Sequence, residues 1–215
     1  MEKIESKIVK NVETDEDVEV KSFFPSETGF TVIWFMRRFG CPLCRWQGKK
    51  ISVLKPELDK INVRMIAIAP ERLGWEEFKQ SNYWPGEIYY DPDKTVFSDI
   101  GCRRLTPMNT LGSLFQKKLW ESANKAKNEG VTGNLRGDPN QLGGCFVLSK
   151  GGKEMAYQFF QPDATSEVDL EAMAKALGVT LPEPPPATEQ TPSATDTATS
   201  GGVTNSAAAD ESAKS

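Results

Sequence analysis

The stretch Phe30-Thr31-Val32-Ile33-Trp34-Phe35-Met36-Arg37-Arg38-Phe39-Gly40-Cys41-Pro42-Leu43-Cys44-Arg45 decides the fold. Its first seven residues are almost continuously apolar and rich in β-branched and aromatic types, as in a strand covered on both faces. Beyond the Cys-x-x-Cys, Ile51, Leu54, Leu58 and Ile61 recur at spacings of three and four, one apolar face of a helix. Pro56 interrupts that pattern; lacking an N–H and crowding the preceding turn, it predicts a break just before itself. Residues 63–69, Val-Arg-Met-Ile-Ala-Ile-Ala, form a second buried run, and strand, helix, strand in this order implies a right-handed βαβ unit.

Working outward, residues 75–81 read as a short helix and 87–90 as a short strand. Residues 111–127 read as an amphipathic helix with Leu114, Phe115, Leu119 and Ala123 on its apolar face. Residues 130–138 are dense in turn formers and predict an ordered loop or lid. The apolar runs 145–149 and 154–161 are joined by Lys150-Gly151-Gly152-Lys153, a hairpin signal because glycine supplies the positive φ of a tight turn. Ser166 with Asp169 has capping-box spacing, Leu170, Met173, Ala174 and Leu177 make an apolar helical face, and Gly178 is a stop. The order βαβ then ββα predicts a thioredoxin-like α/β fold, a central mixed sheet flanked by helices, over residues 1–180. From 181 to 215 the composition shifts to Pro, Thr, Ser, Ala and Gly, which cannot bury enough surface to order itself. This predicts a disordered tail, either a regulatory tether or a solvated extension.

The formal net charge of −4 and pI near 5.1 leave no overall basic footprint for nucleic acid. The charged start has no apolar signal region, and the longest apolar runs are too short for a bilayer, so a soluble cytoplasmic protein is expected. Four cysteines are too few for a disulfide scaffold, and the absence of histidine removes Ser-His-Asp, Cys-His and His-ligated metal chemistry.

The Cys-x-x-Cys stands where a strand ends and a helix begins, the edge of an open α/β sheet where ligands bind. Cys41 at the N-cap and Pro42 at the first helical position put the Cys41 sulfur near the free amides and positive dipole end of the helix, which favours thiolate. Arg37, Arg38, Arg45 and Lys49 add positive charge, which lowers a cysteine pKa further. Arg45 opposes the dipole in the first turn, so it reads as support for the thiolate or substrate, or else as a solvated basic residue. Cys44, one turn on, is spaced to close a reversible disulfide with Cys41. A four-thiolate zinc site completed by Cys102 and Cys145 is an alternative, weakened because those two are 43 residues apart. Both read more simply as small buried apolar residues. The five tryptophans read as core or pocket wall, and Asp91-Pro92-Asp93 as a turn.

The chain resembles the peroxiredoxin-like branch of the alkyl hydroperoxide reductase and thiol-specific antioxidant superfamily. The resemblance rests on the segment from Arg37 to Trp46, on Gly86-Glu87-Ile88-Tyr89-Tyr90-Asp91 with Lys94, on Gly133-Asn134-Leu135-Arg136-Gly137-Asp138, and on Gly143-Gly144 leading to Ser149-Lys150-Gly151-Gly152. These blocks span residues 7–179. The resemblance implies a thiol reductase with Cys41 and Cys44 as the active pair, acting on a lipid or alkyl hydroperoxide or on the endoperoxide of prostaglandin H2 or its ethanolamide. It implies NADPH or a thioredoxin-type protein as electron donor, and no tightly bound cofactor or metal. Pro42-Leu43 between the cysteines departs from the family pattern. Protein disulfide exchange is a rival, disfavoured because no proline immediately precedes Cys145; a redox-sensing or interaction module is another.

Overall fold

The computed structural model describes residues 1–182 apart from Leu114, Gln116 and Leu135, and Ser113 in its backbone only. The tail expected from 181 onward lies, beyond Pro182, outside the described residues. The chain builds β1 (Ile8–Asn11), β2 (Asp17–Glu19), β3 (Phe30–Phe35), α1 (Pro42–Ser52), α2 (Lys55–Lys60), β4 (Arg64–Ala69), α3 (Trp75–Gln80) and β5 (Glu87–Tyr90). It continues with α4 (Thr95–Ile100), α5 (Pro107–Ser113), α6 (Lys117–Asn128), β6 (Gly144–Ser149), β7 (Glu154–Phe160) and α7 (Leu170–Leu177).

The strands form one sheet in the order β2-β1-β5-β4-β3-β6-β7. The parallel core β5-β4-β3 is extended by antiparallel partners, β6 and β7 on one side and β1 and β2 on the other. Both faces of the centre are covered, which explains the unbroken apolar runs. Val32, Trp34, Met65, Ala67, Cys145 and Val147 point into one core, with Leu43, Ile51, Leu58, Phe78, Ala126 and Met173 from α1, α2, α3, α6 and α7. Ile33, Phe35, Ile66, Ile68, Phe146 and Leu148 point into the other, closed by Val96 and Phe97 of α4 and by Val20 and Phe23.

The helical break falls at Val53 and Leu54, and Pro56 sits in the first turn of α2, where its missing N–H is not needed. Ile51, Leu54 and Leu58 are fully buried, but Ile61 caps the end of α2 and is 42% exposed, so the apolar face ends at Leu58, one apolar position earlier than its periodicity suggests. The single helix expected over 111–127 is two. The chain turns at Phe115, which is 82% exposed, and α6 buries Ser122 and Ala126 with Leu119 packed beside them. Ala123 is only half-buried, and Leu114 lies outside the described residues. The cap of α7 is Asp169, whose Oδ1 accepts from the Ala172 amide at 2.9 Å; Ser166 instead sends its own amide to the Asp163 carbonyl. The hairpin between β6 and β7 turns through three positive φ values at Lys150, Gly151 and Gly152, of 51°, 66° and 84°. Asp91 makes its turn and also caps α4, its Oδ2 accepting from Val96 and Phe97 amides at 2.8 and 3.2 Å.

Candidate active site

Strand β3 delivers Met36 to a last ladder bond, its amide donating to the Ile68 carbonyl at 2.9 Å, and the chain then bends through Arg37 to Gly40 into α1. Cys41 is the N-cap with φ −70° and ψ 121°, and Pro42 opens the helix. Cys41 and Cys44 are 4% and 5% exposed, and all four cysteines are free thiols.

The pair is electrostatically asymmetric. The Cys44 thiol donates to the Cys41 sulfur, and this, with Arg37, the Cys44 amide and Arg38, holds the Cys41 pKa well below the ordinary thiol value against the cost of burial. The Cys44 amide acts here without completing a capping hydrogen bond. The same donated bond, together with burial and the Cys41 charge, pushes Cys44 well above the ordinary value. The two sulfurs are thus shifted in opposite directions, Cys41 toward thiolate and Cys44 toward thiol. An ordinary thiol alkylates about tenfold more slowly for each pH unit below its pKa of about 8.5. Cys41 is expected to hold its rate with iodoacetamide on going below the ordinary thiol value, and to fall only at the lower pH where its own depressed pKa is crossed. A stopped-flow pH profile that falls tenfold per unit from the ordinary thiol value downward would contradict the assignment.

Arg37 is 6% exposed; its Nη1 lies 3.9 Å from Cys41 Sγ and donates to the Ala164 carbonyl at 3.3 Å, while Nε donates to the Gln141 carbonyl at 3.3 Å. Arg38 donates to the Gly137 carbonyl at 3.2 Å. Arg45 lies elsewhere: at 1% exposure, its Nε donates to the Phe39 carbonyl at 2.8 Å, and its Nη1 to Thr132 O at 3.1 Å and Glu77 Oε1 at 2.8 Å. Arg45 therefore ties α1 to the bend before Cys41 and to the loop across it. Lys49 is turned outward to the Glu129 carbonyl.

Residues 130–138 form the expected ordered loop, and it presses on the cysteine bend. The Asn134 amide donates to the Gly40 carbonyl at 2.7 Å. Gly133 lies so close that a Cβ there would meet Gly40 O and Pro42 N at 2.7 Å, and one on Gly40 would meet Asn134 Oδ1 at 2.2 Å. Two bare backbones are required at this crossing. The loop is fastened by Asn134 Nδ2 to Glu77 and by the Asp138 amide to Glu71. Asp138 also pairs with Lys94 at 2.8 Å and Arg104 at 2.6 Å, and these contacts hold its carboxyl down at about 2. Glu71, Glu77, Gln141 and Ala164 carry no local sequence signal; only the fold brings them here.

Cys102 and Cys145 are buried, and desolvation pushes both thiols up to about 12. Cys102 lies in the core on the face of the sheet opposite Cys41, Cys44 and Cys145, so the four-thiolate zinc alternative does not assemble. Among the described residues no group of three His, Cys, Asp or Glu could hold a metal, and no helix is long and apolar enough to cross a membrane.

A family model described as AhpC/TSA antioxidant enzyme matches residues 50–163. The chain belongs to this family. The match begins after the cysteine pair, so it identifies the scaffold independently of the motif. Curated relatives extend over most of the chain: prostamide/prostaglandin F synthase of Xenopus tropicalis is 37% identical over 178 residues, 83% of this chain and 88% of that one. The Homo sapiens synthase is 36% identical over 172 residues, 80% and 86% of the two chains. Among solved structures, the Xanthomonas campestris bacterioferritin comigratory protein, described for its alkyl peroxide reduction activity, matches with a TM-score of 0.51 at 14% identity, covering 83% and 92%. A peroxiredoxin-like protein from Aquifex aeolicus matches with a TM-score of 0.51 at 15% identity, covering 79% and 80%. At these identities the structures speak for the fold alone. This AhpC/TSA family member is a peroxiredoxin-like oxidoreductase.

Proposed function

We propose that this enzyme reduces a peroxide or endoperoxide with Cys41 as nucleophile and Cys44 as resolving thiol, Arg37 and Arg38 supporting the thiolate. The observation that carries this is the buried pair with Arg37 Nη1 3.9 Å from Cys41 Sγ, the Cys44 hydrogen bond and Arg37 shifting Cys41 toward thiolate. Thiolate attack on one peroxide oxygen forms an S–O bond and breaks the O–O bond. The departing oxygen takes a proton from Cys44. The Cys44 thiolate then attacks the Cys41 sulfur, the S–O bond breaks, the second oxygen leaves with a proton from solvent, and a disulfide remains. Two thiols have been oxidised by two electrons and the O–O bond reduced to two hydroxyl-level oxygens. A thioredoxin-type protein or NADPH, as external donor, restores the dithiol, and a reducing compartment such as the cytoplasm keeps the pair ready.

The names of the curated relatives favour an endoperoxide of the prostaglandin H2 type, reduced to the F-type product, over a simple hydroperoxide. Reduced enzyme mixed with one equivalent of prostaglandin H2, or separately of tert-butyl hydroperoxide, tests this choice. Faster Cys41–Cys44 disulfide formation with the endoperoxide, matched by F-type product, is expected. Equal or slower oxidation than with the alkyl hydroperoxide would move the assignment to a general peroxidase.

A further inference from the structure

Both guanidiniums beside Cys41 are aimed from one short segment. Arg38 Nη1 donates to the Gly137 carbonyl at 3.2 Å, and Arg37 Nε donates to the Gln141 carbonyl at 3.3 Å. Arg37 Nη1, also held by the Ala164 carbonyl, lies 3.9 Å from Cys41 Sγ. A backbone carbonyl fixes a guanidinium only as firmly as its own chain is fixed, so whatever anchors residues 137–141 decides where the two cations point.

The contacts of this segment converge on Asp138, whose side chain is 12% exposed. Its Oδ2 pairs with Lys94 at 2.8 Å and with Arg104 at 2.6 Å, its Oδ1 accepts from the Asn140 amide at 2.9 Å, and its amide donates to Glu71 Oε1 at 2.6 Å. Glu71 and Lys94 follow the carboxyl ends of β4 and β5, so the segment is tied to the sheet edge from which β3 delivers the cysteines. Towards its other end, Arg104 and Gln141 form an antiparallel bridge, with the Leu105 amide donating to the Asn140 carbonyl at 2.8 Å and the Leu142 amide to the Arg103 carbonyl at 3.0 Å. Burial opposes the charge on Asp138, but Lys94, the Asn140 amide and Arg104 outweigh it and hold the carboxyl at about 2, so Asp138 is ionised at neutral pH.

The geometry points to Asp138 as a positioning residue for the thiol chemistry: clamped by Lys94 and Arg104, it holds the Gly137 and Gln141 carbonyls where they aim Arg38 and Arg37 at the Cys41 sulfur. The inference rests on the reading of Cys41 as nucleophile and adds a residue that acts on it through two others.

Asp138→Asn separates positioning from field. Asparagine keeps the shape and Oδ1 but presents a donor where Oδ2 accepted from both cations. Removing a negative charge acts through space to favour the Cys41 thiolate, whereas releasing the two guanidiniums disfavours it, so the two effects have opposite signs. The readout is the pH at which iodoacetamide alkylation of Cys41 falls to half its plateau rate; a looser loop changes the plateau and not this midpoint. Asp138→Asn is expected to raise the midpoint by about half a pH unit or more. A midpoint that stays or falls, even in a protein with a lower urea midpoint, would leave Asp138 a purely structural residue and overturn the proposal. Should Asp138→Asn fail to fold, Lys94→Gln/Arg104→Gln is read beside wild type in about 1 M salt, where a Debye length of about 3 Å removes the direct field of the lost cations. Their side chains are 34% and 50% exposed, so the change is made at the surface. The midpoint is again expected to rise, and an unmoved one refutes the anchor. Wild type unable to reduce tert-butyl hydroperoxide or prostaglandin H2 would defeat the reductase reading, while the alkylation midpoints still decide the role of Asp138.

Discussion

Cys41→Ser is expected to bring peroxide reduction down by a factor on the order of 10³ or more, because a serine hydroxyl at neutral pH offers neither the anion nor the polarisable nucleophile. Cys44→Ser should behave differently. It keeps the Cys41 sulfur beside Arg37 but removes the resolving thiol, so one turnover proceeds and stops at an oxidised Cys41. Dimedone labelling followed by peptide mass analysis would find about one adduct, on Cys41. The Cys44 proton is also the largest contribution to the lowered Cys41 pKa, so the pH below which Cys41 stops reacting should change in this variant. Cys102→Ala and Cys145→Ala should retain turnover, since thiols pushed up to about 12 carry almost no thiolate at neutral pH. A single adduct on Cys44 in the Cys41→Ser protein, with none on Cys41 in the Cys44→Ser protein, would reverse the two roles.

The legibility of this chain follows the range of the interactions involved. Strands β3 and β4 are buried on both faces, so their residues must be apolar whatever lies around them, and the run of 30–36 reads directly. The capping position of Cys41 is equally local, set by Pro42 and the helix it starts. Strands β1 and β2 were not legible: with burial alternating or slight, they look like any polar segment, and the antiparallel pairing of β1 with β2 and with Tyr89 and Tyr90 of β5 is what defines them. The division of α5 from α6 also escaped the sequence pattern, because an exposed Phe115 imitates a core position when periodicity is the only guide. Arg45 gave the most instructive difference. Its placement in the first turn of α1 signalled a special role beside the cysteines, but its contacts, 32 and 87 residues away at Glu77 and Thr132, are set by tertiary packing.

That packing makes Arg45 the site of the second large effect. Arg45→Met keeps most of the buried volume but deprives the Phe39 and Thr132 carbonyls of their donor. The Phe39 carbonyl is buried, and a buried acceptor left unpaired costs about 1–3 kcal/mol; Thr132 is exposed, so its carbonyl can turn to water. Glu77 is 53% exposed and can return to water, so its lost ion pair adds little beyond the ~0–1 kcal/mol usual for exposed pairs. A loss of about 1–3 kcal/mol is expected, measured as a lower urea midpoint at unchanged slope. The same two carbonyls belong to the bend before Cys41 and to the loop that crosses it, so the variant should also alkylate faster at Cys41 as that loop loosens. Glu77→Gln separates the two contributions, because it weakens the ion pair and spares both backbone contacts; its unfolding free energy should fall by less than about 1 kcal/mol. Arg45→Lys retains the charge without the planar fork and should recover only part of the loss. If Glu77→Gln proved as damaging as Arg45→Met, the ion pair rather than the carbonyl bridge would be what fixes the loop over the thiolate.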